Sequence, residues 1–386
     1  MGSLPSPPRS STPPPTSENS SFGETRVYLA FRFREPKPDV NMSDIMIYCY
    51  DIANNSWSFV TLIPCLIENH GLKDFAMVSL GDSIYVIGGK IFHQKKASTS
   101  ENESNSHGEE DDNVSSSVLR YNVCANQWSK CASLATPRYD FAYTVCESKI
   151  YVAGGKSTLN SAVGVSSAEV YDPNLNKWIH LPDMSTLRYK CVAVTWMGKI
   201  HVVGGFALKI NSDLKPHNFM AERSSAEVYD TQTREWDLMK GMWQLDVPPN
   251  QIVVVNGRLL SSGDCLKVWK GHIEAYDLEE NIWNEVEGSR LMTHNSPIIP
   301  TNCSNYESEM TKSAMVQQLY LTIAPIGTSL YFLAGYRRDD GDSLRTKLTV
   351  HKFDTSATSN GWMSFEPIEE DGEKVLCSHC CVVQLS

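Results

Sequence analysis

The sequence predicts an all-β fold assembled from repeated four-stranded units, and three observations carry that prediction. The first is a recurrent hairpin signal. Tyr50-Asp51 precedes Trp57, Tyr171-Asp172 precedes Trp178, Tyr229-Asp230 precedes Trp236, and Tyr276-Asp277 precedes Trp283, all at one spacing. Tyr121-Asn122 with Trp128 keeps that spacing, and Phe353-Asp354 with Trp362 is a sixth copy with two extra residues. The second is a short apolar run ending in small residues: Ile84–Gly89, Ile150–Gly155 and Ile200–Gly205, then the weaker Leu259–Gly263 and Leu330–Gly335. The third is another apolar stretch ahead of each run, such as Phe141–Val145 and Cys191–Thr195. Val, Ile, Tyr and Trp suit a pleated, half-buried surface. Paired glycines permit close strand approaches that a Cβ would block.

Four runs per unit, repeating at roughly fifty residues with a Gly-Gly signal, resemble the kelch repeat, whose copies stack into β-propellers. The resemblance covers about residues 26–386. It implies a six-bladed kelch β-propeller with four-stranded antiparallel blades. The N-terminal runs Val27–Phe31, Ile45–Tyr50 and the strand of Trp57 make three strands of one blade and lack the first. His379–Leu385 is an orphan first strand. Joining the two closes the ring through the C-terminal strand and leaves no open sheet edge. One propeller over 26–386 therefore replaces the two or three domains that length alone suggests. Each Trp supplies a large apolar surface to the last strand of its unit.

Three segments fall outside the repeat. Residues 1–25 hold six prolines among the first fifteen positions and are expected to be disordered. Residues 90–117 read as a long acidic, Ser-rich loop, and 287–318 as an insertion between the last two blades. The chain of 386 residues carries a net charge of −11, against a general nucleic-acid binder. No apolar stretch approaches the ~20 residues of a membrane helix. The N-terminus lacks the apolar core of a secretory signal, and the 11 scattered cysteines read as reduced thiols, so a cytoplasmic or nuclear location is expected.

Catalytic signals are absent from the sequence. Cys377-Ser378-His379-Cys380-Cys381 has a C-x-x-C spacing, but alternation along a strand splits its ligands between faces, and no second pair matches it. Asp213 and His217 are half of an iron motif known in some plant kelch proteins, with Lys209 where its carboxylate would stand. Galactose-oxidase-like enzymes share kelch-type repeats and hold copper with Tyr and His, but no such cluster can be placed here. No nucleophile elbow or phosphate-binding glycine motif appears. No enzyme activity, cofactor or metal is expected. The alternative is an enzyme or metabolite-binding propeller with a site at the central channel.

The kelch resemblance implies that loops entering first strands and leaving second strands line one mouth, where related domains bind partner peptides, often through arginines. Here those positions hold Lys73, Lys90, Arg138, Lys156, Arg188, Lys190, Arg337 and Arg338 against three aspartates, a local inversion in an acidic chain. Tyr139, Tyr189, Phe206 and Tyr336 stand beside them as aromatic anchors. The expected partner-binding set is Arg138, Tyr139, Lys156, Arg188, Tyr189, Phe206, Tyr336, Arg337 and Arg338, reading an acidic or phosphorylated peptide. For Arg138 and Arg188 a second role stays open, because an arginine at that repeat position also braces adjacent blades. Plant kelch domains of this kind serve as ubiquitin-ligase substrate receptors through an F-box. Residues 1–25 are too short for one, so ligase components would act in trans or the chain is a shortened form.

Overall fold

The computed structural model describes residues 24–35, 44–68, 70–93, 113–210, 219–265, 268–291, 317–339, 344–357 and 361–385. Residues 1–23, most of the acidic loop (94–112) and most of the late insertion (292–316) lie outside them, as do Asp213 and His217.

The Tyr-Asp-to-Trp signal folds as the hairpin joining the third and fourth strands of a sheet. The Asp51 side chain accepts the N–H groups of Ala53 and Asn54, and Asp230 and Asp277 do the same for the residues two and three positions on. That is an Asx turn. The residue ahead of the fourth strand is left-handed: Asn55, Asn126, Asn176 and Asn281 have φ of 46°, 52°, 45° and 55°. The tyrosine hydroxyl donates to that asparagine in four of the hairpins, at 2.9, 2.7, 2.8 and 2.6 Å for Tyr50, Tyr121, Tyr171 and Tyr276. Sheet pairing sets each tyrosine opposite its tryptophan, as in Tyr171 and Trp178, whose ring centroids are 5.1 Å apart.

Among the described residues there is no helix, and six antiparallel sheets of four strands carry the fold, consistent with a kelch propeller. Sheet I runs from Cys381–Leu385 through Glu24–Phe33 and Met46–Asp51 to Ser56–Leu62. Sheet II holds Ala76–Leu80, Ser83–Ile87, Val118–Asn122 and Gln127–Lys130, and sheet III holds Ala142–Cys146, Lys149–Ala153, Ala168–Asp172 and Lys177–Leu181. Sheet IV is Val192–Trp196, Lys199–Val203, Ala226–Asp230 and Glu235–Met239. Sheet V is Ile252–Val255, Arg258–Ser261, Glu274–Asp277 and Ile282–Glu285. Sheet VI is Gln317–Ile326, Ser329–Asp339, Leu344–Asp354 and Trp362–Ser364, with Ile368–Asp371 also paired to its third strand.

The C-terminal strand pairs Cys381 with Tyr28 and Leu385 with Glu24. An additional strand, Lys374–Leu376, pairs with Phe31–Phe33. Innermost strands of consecutive sheets pack side by side from II to VI, and Cys381–Leu385 packs against those of both VI and II. Side chains bridge them. Gln251 donates to Ile323 O and accepts from Ile323 N, both at 2.9 Å, while Ser378 Oγ accepts Met77 N at 3.0 Å and Ser79 Oγ donates to Val382 O at 2.7 Å. These bonds occupy backbone groups that no neighbouring strand reaches. Within these strands lies a cavity of about 970 Å³.

The described structure amends the sequence reading at its margins. The first strand begins at Glu24, inside the segment expected to be disordered. The two ends of the 90–117 loop are strands: Lys90–His93 pairs with His70–Lys73 and with Asn113–Val114, forming a small ribbon on sheet II. Residues after Phe206 in sheet IV form a second ribbon, in which Phe206–Ile210 pairs with Leu187–Tyr189 and Phe219–Ala221. Backbone pairing satisfies the ends of the 90–117 segment, where composition alone pointed to a loop.

Two predictions follow from this architecture. Trp178 is buried, and its indole N–H donates to Ala132 O at 2.9 Å. Trp178→Ala should lower the unfolding free energy by about 3–5 kcal/mol, read from the urea midpoint at unchanged slope. Separately, burial lowers His201, His351 and His379 from 6.5 to about 4, so all three are neutral in the native state near pH 7. In the unfolded chain they bind protons below about pH 6.5, so stability holds above that pH and falls as pH drops toward about 4. Urea midpoints across that window should decline, and His201→Gln should flatten the slope.

Candidate partner-binding mouth

The residues ahead of the first strands of sheets III and IV begin with arginine, and both arginines are fully buried. The Arg138 guanidinium donates to Gly154 O at 2.8 Å, Ser167 O at 3.0 Å and Glu169 Oε1 at 2.7 Å. Glu169 is itself buried and accepts the N–H groups of Ala135 and Thr136. Arg188 repeats the arrangement with Gly204 O at 2.9 Å, Ser225 O at 3.0 Å and Ser225 Oγ at 2.5 Å. In sheet IV the matching Glu227 is held by the Ser185 and Thr186 hydroxyls. Burial pulls both guanidinium groups below their ordinary range, and Glu169 opposes this for Arg138.

The glycine pairs explain why the arginines end up inside. Gly89 N donates to Arg138 O, and Gly155 N to Arg188 O, at 2.9 and 2.8 Å. A Cβ on Gly88 would stand 2.5 Å from Arg138 O, and one on Gly154 would stand 2.7 Å from Arg188 O. Each arginine thus locks its own sheet to the glycine turn of the preceding one. The expectation that Arg138 and Arg188 face a partner is corrected: both are braces, enclosed by the contacts that hold adjacent sheets together.

Above these braces the aromatic residues form a row. Lys90 Nζ sits 4.0 Å from the Tyr139 ring centroid, and Lys156 Nζ sits 4.1 Å from that of Tyr189. Tyr189 stacks on Phe206 at 5.0 Å, and Arg223 lies over Phe206 at 5.2 Å. At the other end, Lys73 lies 4.8 Å and Arg32 5.8 Å from the Phe92 centroid. The row therefore crosses from sheet II to sheet III and from sheet III to sheet IV, each step a cation over an aromatic face. Lys156, Tyr189 and Phe206 lie together, whereas Tyr139, expected to face a partner, is buried beneath Lys90. Arg32, Phe92 and Arg223 were missed, because their neighbours in space are distant in the chain.

Arg337 and Arg338 belong to another setting. Arg337 pairs with the buried Glu373, which also meets Arg34 at 2.5 Å, and Arg338 pairs with Glu369. Tyr336 packs against the cluster of Leu321, Phe332 and Trp269, and burial raises its pKa. The expected basic excess shrinks accordingly, since Lys90 also pairs with Asp74 at 2.9 Å. Among the described residues, Lys73, Lys156 and Lys190 have no carboxylate within ion-pair distance. Asp74, Asp140, Lys190 and Asp264 rim the cavity between the sheets. Deeper in it, burial raises the Cys377 and Cys380 thiols to about 12, which keeps them protonated. No group of three potential metal ligands gathers among the described residues.

Residues 137–185 and 188–242 each match the Kelch motif. Those two spans begin at the approach to sheets III and IV and end just past their fourth strands. The chain is a kelch-repeat protein. It is 29% identical over 247 residues to F-box/kelch-repeat protein At1g16250 of Arabidopsis thaliana, covering 61% of this chain and 56% of that protein. It is 30% identical to F-box/kelch-repeat protein At1g67480 of the same plant, over 45% of this chain and 42% of the relative. Kelch-like protein 41a of Danio rerio is 27% identical over half of this chain and 28% of its own length. The kelch chain thus spans from about a quarter to just over half of these relatives.

The two classes of arginine should separate on substitution. Arg138→Met leaves Glu169 buried without its cation and should cost about 3–5 kcal/mol. Arg338→Met removes an exposed pair and should cost less than about 1 kcal/mol. Paired urea titrations check both values.

Proposed function

We propose that the six sheets close into one six-bladed kelch propeller, and that it serves as a non-enzymatic protein-interaction module. Its mouth binds an acidic or phosphorylated segment of a partner protein. Support for closure comes from the seam between sheets VI and I. There Asn55 Nδ2 donates to Glu366 O, the same turn-to-preceding-sheet contact that Asn281 Nδ2 makes to Lys240 O. Packing of the C-terminal strand between the innermost strands of sheets VI and II points the same way.

The observation that carries the binding reading is the row Lys90–Tyr139, Lys156–Tyr189–Phe206–Arg223. The half-buried Tyr189 and Phe206 faces, with Lys156 and Arg223 over them, offer apolar contact and charge at one surface, at small entropic cost. The unmatched Lys73, Lys156 and Lys190 favour an anionic partner. Substrate recognition for a ubiquitin ligase, in the cytoplasm or nucleus, is the role we assign by likeness to relatives whose names join an F-box to kelch repeats.

The test is affinity capture from native extract with wild type and Lys73→Glu/Lys156→Glu/Lys190→Glu, read by mass spectrometry after both pass a folding check. Charge reversal should deplete the specific partners about tenfold or more. An undiminished partner set would move recognition away from the mouth. Capture of a small molecule and no protein would favour the channel instead.

A further inference from the structure

Three residues at one repeat position lie at the rim of the cavity, each just before a first strand. Asp74, Asp140 and Lys190 all have left-handed backbones, with φ of 55°, 52° and 53°. Their peptides are stitched across the sheets: Asp140 N donates to Asp74 O at 3.5 Å, and Lys190 N donates to Asp140 O at 2.7 Å. Aspartate tolerates this conformation through its short polar side chain, whereas lysine has no such compensation. Strain of this kind is retained where the surroundings use the side chain. Lys190 is thus a charge reversal placed at a costly backbone position, and its side chain is exposed.

Asp140 sits between its two neighbours in this row. Its half-buried carboxyl makes no hydrogen bond or ion pair with any described residue. Lys190, Lys90 and Lys156 all act on it electrostatically from longer range, and Asp74 repels it. Two of these lysines are held in place, Lys90 by Asp74 and the Tyr139 face, and Lys156 by the Tyr189 face. Burial, with the Asp74 charge as a lesser cause, raises the Asp140 pKa. The Lys90, Lys156 and Lys190 charges thus all favour the ionised Asp140 carboxylate, and none of them pairs with it directly.

We propose that Lys90, Lys156 and Lys190 form an anion subsite at the cavity rim for a carboxylate or phosphate-monoester side chain borne by the partner, and that Asp140 is its built-in competitor. This rests on the reading of the mouth as a site for an anionic segment. Asp140 offsets part of the lysine charge in the empty protein and opposes any second anion there. It sets a threshold, so that weakly charged segments are rejected and densely charged ones are held. The hydroxyl-free, short carboxamide of asparagine keeps the left-handed backbone and removes only the charge.

The test uses fluorescence anisotropy with two labelled probes, octaglutamate and a peptide of alternating phosphoserine and glutamate, on the full chain. Asp140→Asn should tighten both about tenfold, the size expected for removing one like charge at several ångströms in a partly solvated site. Lys190→Asp should weaken both. Inorganic phosphate should fail to displace the probes at equal concentration, which separates a partner-borne group from free anion; full displacement would overturn the partner assignment. If wild type binds and Asp140→Asn binds equally or more weakly, with an unchanged thermal melt, the competitor role is wrong. If wild type and all variants fail to bind either probe, the anionic-segment reading of the mouth fails, and this inference falls with it.

Discussion

An indole N–H that leaves its own sheet to reach the preceding one is the contact on which this architecture depends. Trp178 reaches Ala132 O, Trp236 reaches Pro182 O, Trp283 reaches Met242 O and Trp362 reaches Ser289 O, at 2.6–2.9 Å. Each acceptor belongs to the segment that leaves the fourth strand of the sheet before. A four-stranded sheet alone would expose one face of apolar side chains, and stacking the next sheet buries it. The tryptophan sets the distance and angle of that stacking. The asparagine of the same hairpin adds a second tie, as when Asn176 Oδ1 accepts Ala132 N at 2.8 Å.

Once the sheets are stacked in this way, the glycine pairs and the arginines fall into line. Gly88 and Gly154 meet the carbonyls of Arg138 and Arg188 across the inter-sheet gap, where no side chain fits. The guanidinium groups then turn inward to carbonyls freed by the same turns. A buried arginine is tolerated there because its two terminal nitrogens meet fixed acceptors, in sheet III including Glu169, while Nε is left unpaired among the described residues. Sheet IV manages without the ion pair, using hydroxyls on both sides. The same repeat position therefore has two electrostatic solutions with one geometry.

The hairpins, the glycine runs and the joining of the C-terminal strand to the N-terminal one were legible because each is local or repeats. Tyr171, Asp172, Asn176 and Trp178 sit within one hairpin, so spacing alone exposes their relation. The mouth was legible only in part. Its aromatic members follow from repeat position, yet the state of each cation is fixed by residues far away in the chain. Glu373 and Glu369 claim Arg337 and Arg338 from a segment that pairs with two different sheets. Arg223 reaches Phe206 because intervening residues form a ribbon, and Phe92 serves Arg32 from sheet I. A count of basic residues at repeat positions cannot see these partners, and so it overstated the charge.

What remains after that subtraction is a surface whose charge is held by rings more than by carboxylates. A lysine over a tyrosine face keeps its charge available, since the ring donates no proton and accepts no salt bridge. An ion pair such as Lys90 with Asp74 spends the same charge locally. The row alternates between these two states from sheet II to sheet IV, and Asp140 stands where they meet. The cations are thus divided by depth: Arg138 and Arg188 hold the sheets together below, and above them Lys156 lies over an aromatic face with no carboxylate partner among the described residues. Both layers come from the residues ahead of each first strand and those just past each glycine pair, so the repeat that builds the fold also sets out the surface proposed for binding.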